Sequence, residues 1–141
     1  MGHKVKEEQI IQRLKELLTP RRLEHSLRVR DIAKELAYIY GEDANRAALA
    51  GLIHDCAKGL SPEELVGKSK AYGIEPHGIY EHHKGLIHGP LGAKMAKDLF
   101  NIGDPHIISA VRYHTFGKKD MTTLEKIIYI ADLIEPGRDF Q

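Results

Sequence analysis

With 141 residues, the chain is long enough for one domain with a single core and too short for two comfortable ones. Its 21 basic and 20 acidic residues leave a net charge of +1, without the positive excess that duplex-binding proteins use to neutralise phosphates, so nucleic acid is not the favoured partner. Because a single cysteine, Cys56, rules out an internal disulfide, and no segment resembles a signal peptide or membrane span, we expect a cytoplasmic protein.

Four helices are predicted in the first half of the chain, from apolar residues at helical spacing and from capping signals. In chain order, they cover Ile10 to Leu18, Pro20 to about Tyr40, Ala47 to His54, and Pro62 to just before Gly73. Thr19 and Asp43 can cap the second and third of these helices. Ser61 and Glu64 form a capping box at the start of the fourth.

The second half begins with an irregular, histidine-rich segment from Ile74 to Gly89, a type of loop that often carries function. Three more helices are predicted after it: Pro90 to Phe100, Pro105 through Tyr113, and a last helix capped by Thr122 and Glu125 that runs to Glu135. No segment shows the sustained alternation of a half-buried strand, so the predicted fold class is all-α.

The pair His54-Asp55 ends an apolar run, 47–53, that is typical of a buried helix. Two side chains able to bind metal are costly to desolvate there, and a cation is the obvious compensation. The composition also indicates a metal site. The chain has nine histidines but only three phenylalanines and no tryptophan, and an imidazole is better suited to binding a metal than to packing in a core. The pair therefore predicts a metal site.

Three further polar residues lie in or beside apolar helical segments: His25, His114 and Asp132. Asp132 has Ile, Tyr, Ala and Leu as neighbours, so a core-facing carboxylate there must be protonated or lie beside a cation. Helix bundles build metal sites by pointing one or two ligands inward from several helices. Ligands far apart in the sequence are therefore expected.

The order of His25, His54-Asp55 and Asp132 resembles the pattern of the HD-domain metal-dependent phosphohydrolases, and especially that of their YqeK-type members. The segments that carry this resemblance are Arg22–Ser26, Gly51–Lys58, Leu86–Pro90, Arg112–Thr115 and Ala131–Arg138. Five ordered motifs over nearly the whole chain after the first helix are far more specific than an isolated His-Asp pair. The resemblance implies a single HD domain over residues 1–141, built as an all-α helical bundle.

The resemblance also implies an activity, because members of that family cleave diadenosine tetraphosphate symmetrically into two ADP molecules and bind iron. The implied metal ligands are His25, His54, Asp55 and Asp132. We expect substrate contacts from His25, Lys58, His88, His114, Thr115, Asp132 and Arg138. The expected catalytic residues are His54, Asp55, Lys58, His88 and His114.

The ligand set itself indicates the chemistry. Two imidazoles and two carboxylates without a thiolate suit iron, and also Mn, Co or Zn, and leave a divalent site close to neutral. A metal can lower the pKa of its bound water from about 16 to about 7, so that attack on an inner phosphorus can expel ADP. Lys58 follows His54 by about one helical turn and is placed to meet phosphate charge. His88 and His114 either bind a second metal or neutralise developing charge as cations; we favour contact with phosphate.

Several residues have plainer interpretations. We expect Cys56 to pack as a small apolar side chain. Lys58 and Arg138 could equally be ordinary solvated charges. The remaining histidines are expected in a solvated loop or on the surface: His3, His77, His82, His83 and His106.

Two other functions fit the same residues: another HD-class nucleotide phosphohydrolase, or a metal-bound nucleotide-binding module without turnover. The second is suggested by the end of the chain at Gln141, since relatives continue with further helical sequence that helps to close the nucleotide pocket. We therefore expect a truncated chain or a more open pocket. A small-molecule nucleotide is the expected partner in each case. A homodimer is compatible with the sequence, which does not determine the oligomeric state.

Overall fold

The computed structural model describes residues 2–74 and 87–137, with side chains from Glu7 onwards. These residues form seven helices and no strand, which confirms the all-α prediction. The helices are α1 (Gly2–Leu17), α2 (Pro20–Tyr40), α3 (Ala44–Ile53), α4 (Pro62–Ala71), α5 (His88–Phe100), α6 (Pro105–Arg112) and α7 (Thr123–Ile134). None of the described helices combines the length and the apolar character needed to span a bilayer.

The predicted helix starts are confirmed because they depend on local chemistry. The Thr19 hydroxyl and the Asp43 carboxylate each accept a hydrogen bond from the backbone N–H three residues on, at the starts of α2 and α3. Capping boxes begin α4 and α7, with Ser61 and Thr122 as the capping residues. At the other end of α2, Gly41 adopts the left-handed conformation that commonly ends a helix.

Two predicted boundaries are wrong by a few residues. Helix α3 ends at Ile53, so His54 and Asp55 lie in a series of turns just after the helix rather than on it. The chain turns here because the N–H groups of Cys56 and Lys58 bond to carbonyls three residues back. Consequently, Lys58 does not lie one helical turn beyond His54.

The start of α5 was predicted two residues too late. The helix begins at His88, so Pro90 lies within its first turn instead of at its first residue. Gly89 makes this start possible, since a Cβ atom built on it would lie 2.3 Å from the Arg112 carbonyl oxygen. The predicted loop that precedes α5 falls largely at residues 75–86, outside the described residues, together with His77, His82 and His83.

The packing of α2, α3 and α7 positions the candidate site. Helix α2 packs against both α3 and α7, and α6 also packs against α3 and α7. Small side chains allow close packing, and Ala33 of α2 and Ala47 of α3 are both fully buried. Gly51 extends this close approach, because a Cβ atom there would lie 3.0 Å from the Cα atom of Arg30. The end of α3 is thus fixed against the side of α2.

Candidate metal centre

Four of the predicted side chains meet at one point between α2, α3 and α7. His25 comes from α2, His54 and Asp55 follow α3, and Asp132 lies in the last turn of α7. One potential ligand atom from each lies within 4.8 Å of all the others. The four residues are buried or nearly so, and their nitrogen and oxygen donors are of the kinds that bind divalent transition metals.

The His54 ring is oriented by the last turn of α3, which precedes it. Its Nδ1–H donates to the Gly51 carbonyl at 2.6 Å, which leaves Nε2 directed at the carboxylates. That Nε2 lies 3.4 Å from Asp55 Oδ2 and 3.4 Å from Asp132 Oδ1, yet it has no hydrogen-bond partner within the described residues. A fully buried polar atom in this state is unusual, and a metal ion would satisfy it. The donor set therefore fits a metal.

The His25 ring is held from its opposite edge. Its Nε2 lies 2.9 Å from Asp132 Oδ1 and 3.6 Å from Asp55 Oδ2, so it shares the centre with His54. Its Nδ1 lies 2.7 Å from Glu135 Oε1, and it donates there because a carboxylate oxygen accepts. Glu135 was not predicted as part of the site.

The histidines and carboxylates of the centre strongly shift each other's pKa values. Burial opposes a charged His54 ring, but the carboxylates of Asp55 and Asp132 outweigh it and raise the pKa of His54 to about 9. The pKa of His25 is raised against burial in the same way, by Asp132 and Glu135. Conversely, the histidines hold the pKa values of Asp55 and Asp132 well below the usual range despite burial. In the absence of metal, protons on the imidazoles therefore balance the two carboxylates.

His114 lies against the edge of this cluster. Its Nδ1–H donates to the Val111 carbonyl at 2.6 Å, and its Nε2 lies 3.2 Å from Asp55 Oδ1. Its ring centroid is 5.1 Å from that of His54. Asp55 therefore faces His54 and His25 with one oxygen and His114 with the other.

His88 and Thr115 each have an unpartnered polar atom near the centre, in addition to His54 Nε2. His88 Nδ1 and Thr115 Oγ1 are both buried and lack a partner within the described residues. Burial, and then the charge of Lys58, lower the pKa of His88 to about 4. His88 is thus a neutral hydrogen-bonding group at pH 7, which argues against the predicted alternative in which it acts as a cation.

The remaining predicted residues divide into three groups. Cys56 is buried with its thiol 3.5 Å from the Gly92 carbonyl, and burial raises its pKa to about 12, in agreement with a packing role. His106 is exposed, as predicted. Arg138 and the side chain of His3 fall outside the described residues, so the expectations for them stay predictions.

Glu135 is the site residue that the sequence analysis missed. A signal was present, because Glu135 follows Asp132 by three residues, and residues at this spacing share a helix face. The adjoining Pro136-Gly137 pair indicated only the end of a helix. The contact with His25 joins residues 110 positions apart and depends on the packing of α7 against α2.

Comparison with known proteins gives the family. The sequence profile of the HD domain family matches residues 22–137. The chain is 39% identical to the symmetrical bis(5'-nucleosyl)-tetraphosphatase of Bacillus subtilis, with 90% of this chain and 68% of that protein aligned. It is 36% identical to the protein of the same name from Halalkalibacterium halodurans, with 92% of this chain and 69% of that protein aligned.

A solved structure extends the likeness to three dimensions. It is the crystal structure of a predicted HD superfamily hydrolase involved in NAD metabolism from Clostridium acetobutylicum. It is 42% identical to this chain, has a TM-score of 0.88, and is matched over 95% of this chain and 71% of its own length. The chain therefore belongs to the HD domain family and, within it, to the family of the symmetrical bis(5'-nucleosyl)-tetraphosphatases.

Proposed function

We propose that this chain hydrolyses diadenosine tetraphosphate symmetrically to two ADP molecules, in a reaction that requires a divalent metal ion. The observation that carries the proposal is the convergence of His25, His54, Asp55 and Asp132 in a chain of the HD domain family. The names of the tetraphosphatase relatives support the substrate. A nucleotide substrate and a single buried thiol suit the cytoplasm.

The four converging residues are the proposed metal ligands, and we propose iron as the metal. Two imidazole nitrogens and two carboxylates form a set that iron accepts well and that Mn, Co and Zn also accept. The ring orientations support this assignment, since His25 and His54 both direct Nε2 at the centre while Nδ1 bonds elsewhere. The chemistry that a divalent ion supplies in such a site is a lower pKa for water, from about 16 to about 7, and polarisation of a phosphoryl oxygen.

The reaction is attack of water on an inner phosphorus of the tetraphosphate, which breaks a bond to the bridging oxygen and releases ADP. We assign His114 as the acid that protonates this leaving oxygen. Its two ring nitrogens face two acceptors, the Val111 carbonyl and Asp55 Oδ1, so a ring protonated on both nitrogens satisfies both. The proton on Nε2 is the one available for transfer, because Nδ1–H is held by the backbone.

We assign phosphate binding to the surface formed by His88, Thr115 and Lys58. His88 and Thr115 each offer a buried polar atom without a partner in the described part of the chain, and a phosphate oxygen can satisfy both. His88 is the first residue of α5, whose start has no side-chain cap among the described residues. An uncapped helix start favours an anion. Lys58 adds positive charge near His88, and Arg138 is proposed to do the same from outside the described residues.

A product assay tests the proposal. Protein purified without oxygen and loaded with Fe, Mn, Co or Zn is incubated with diadenosine tetraphosphate, and the nucleotides are separated. ADP as the sole product is expected, and the variant Asp132→Ala should give none. AMP with ATP, or no turnover with any metal, would contradict the proposal. Release of inorganic phosphate would instead identify another HD-class phosphohydrolase, and binding without turnover a nucleotide-binding module.

A further inference from the structure

Two glutamates at the ends of α7 are almost completely buried, each with 1% of its surface exposed: Glu125 in the first turn and Glu135 just after the last residue of the helix. Local structure explains Glu125. It is the third residue of α7, its carboxylate accepts from the Thr122 N–H in the capping box, and a negative charge at a helix start is favourable. Its further partners, Ser109 and Lys118, lie outside the metal centre.

Local structure does not explain Glu135. It directly follows the last residue of the same helix, at the end where the free carbonyl groups make a negative charge unfavourable. Its side chain has no exposed surface, so ionisation there also loses the solvation of the carboxylate. A carboxylate in such a position must be stabilised by hydrogen bonds and by groups of opposite charge.

The contacts of Glu135 point to His25. Glu135 Oε1 accepts from His25 Nδ1–H at 2.7 Å, while Oε2 accepts from the Gly137 N–H. Among the described residues, the guanidinium that pairs with Glu135 is that of Arg28, which is 3.8 Å away, is 52% exposed and also pairs with Glu24. An exposed ion pair of this length contributes little. The short bond to His25 is therefore the principal charged contact of this buried carboxylate.

We propose that Glu135 is a positioning residue for the metal centre and acts through His25. Its bond to Nδ1–H fixes the proton on that nitrogen, so that Nε2, 2.9 Å from Asp132, presents its lone pair to the metal. The same bond makes the ring a stronger donor, as carboxylate partners of metal-bound histidines do. This inference rests on the proposed function, because it requires His25 to be a metal ligand.

The affinity for Co²⁺, measured by competition with a chelator, tests this proposal on the full chain. Glu135→Ala should weaken binding about 10- to 100-fold, the usual effect of losing such a partner. Glu135→Asp should weaken it similarly, because the carboxylate keeps its charge but retreats by about 1.5 Å, one carbon–carbon bond. Glu135→Gln retains one acceptor oxygen and should lose less than roughly tenfold. The matched control, Glu125→Gln, alters the equally buried glutamate at the other end of α7, and this variant should bind Co²⁺ like the wild type.

A second measurement needs no variant and so does not depend on the folding of one. In Zn²⁺-loaded wild-type protein with ¹⁵N-labelled histidine, the His25 ring should carry its proton on Nδ1. A proton on Nε2 would overturn the proposal, as would Co²⁺ affinities of the Glu135 variants equal to that of the wild type. The variant His25→Ala distinguishes failure of the positioning role from failure of the metal site. If it weakens Co²⁺ binding while the Glu135 variants do not, the positioning role fails and the metal site stands; if it has no effect, His25 is not a ligand and both fail.

Discussion

Metal binding is predicted to release protons, because the imidazoles that would bind the ion are protonated without it. The carboxylates of the centre raise the pKa of His54 to about 9 against the effect of burial, and that of His25 rises for the same reason. A histidine can bind a metal only through an unprotonated nitrogen. Each ion that enters at neutral pH must therefore displace the proton on His54 Nε2.

The pKa of His54 sets the size of this effect. At pH 7, well below a pKa of about 9, the His54 ring carries the extra proton. Each displaced proton makes the metal affinity rise about tenfold for each unit of pH. Between pH 6 and 8, the affinity for Mn²⁺ should therefore rise about tenfold per unit of pH.

Titration calorimetry with Mn²⁺ measures both quantities. The same titration in buffers of different ionisation enthalpy gives the number of protons released, which should be about one per ion at pH 7. His54→Ala removes the principal source of the proton and should reduce both the affinity and the proton release. An affinity independent of pH between 6 and 8, with no proton release, would refute the reasoning from charge balance.

Three further predictions concern single residues. Asp132→Ala should abolish retention of the metal. The helical circular dichroism should persist, because apolar faces hold the bundle together. A full metal content in this variant would show that Asp132 is not a ligand. Lys58→Ala should raise the pKa of His88 above its value of about 4, since burial still lowers it but the charge of Lys58 no longer does, and should raise KM. An unchanged NMR titration of His88 would exclude the charge effect. Leu52→Ala removes a fully buried side chain and should lower the free energy of unfolding, measured by urea denaturation, by about 2–5 kcal/mol. A loss under about 1 kcal/mol would show that the surroundings of Leu52 are not closely packed.

The sequence predicts best what short segments determine. The capping boxes begun by Ser61 and Thr122 lie within four residues of sequence, and the structure has both. The end of α3 was harder to predict, because the apolar run continues to the last helical residue and only the turns at His54 end it. A helical pattern does not reveal such a stop.

Prediction of the site shows the same division. His54, Asp55 and Asp132 stand out in the sequence because each would be costly to bury without a cation. The prediction that His25 is a metal ligand depends mainly on the resemblance to the HD-domain family, because by itself His25 resembles a surface histidine on an arginine-rich helix. Glu135 could not be assigned from sequence, because its role depends on how α7 lies against α2.

The central claim is that four side chains from three parts of the chain gather around one cation. Anomalous diffraction at the metal absorption edge, from crystals of the iron-loaded protein, tests it most directly. The account predicts a single strong peak about 2.0–2.2 Å from the Nε2 atoms of His25 and His54, and similarly close to carboxylate oxygens of Asp55 and Asp132. A peak elsewhere in the chain would contradict the claim, as would a peak that lies beyond bonding distance of the imidazole of His25 or of His54.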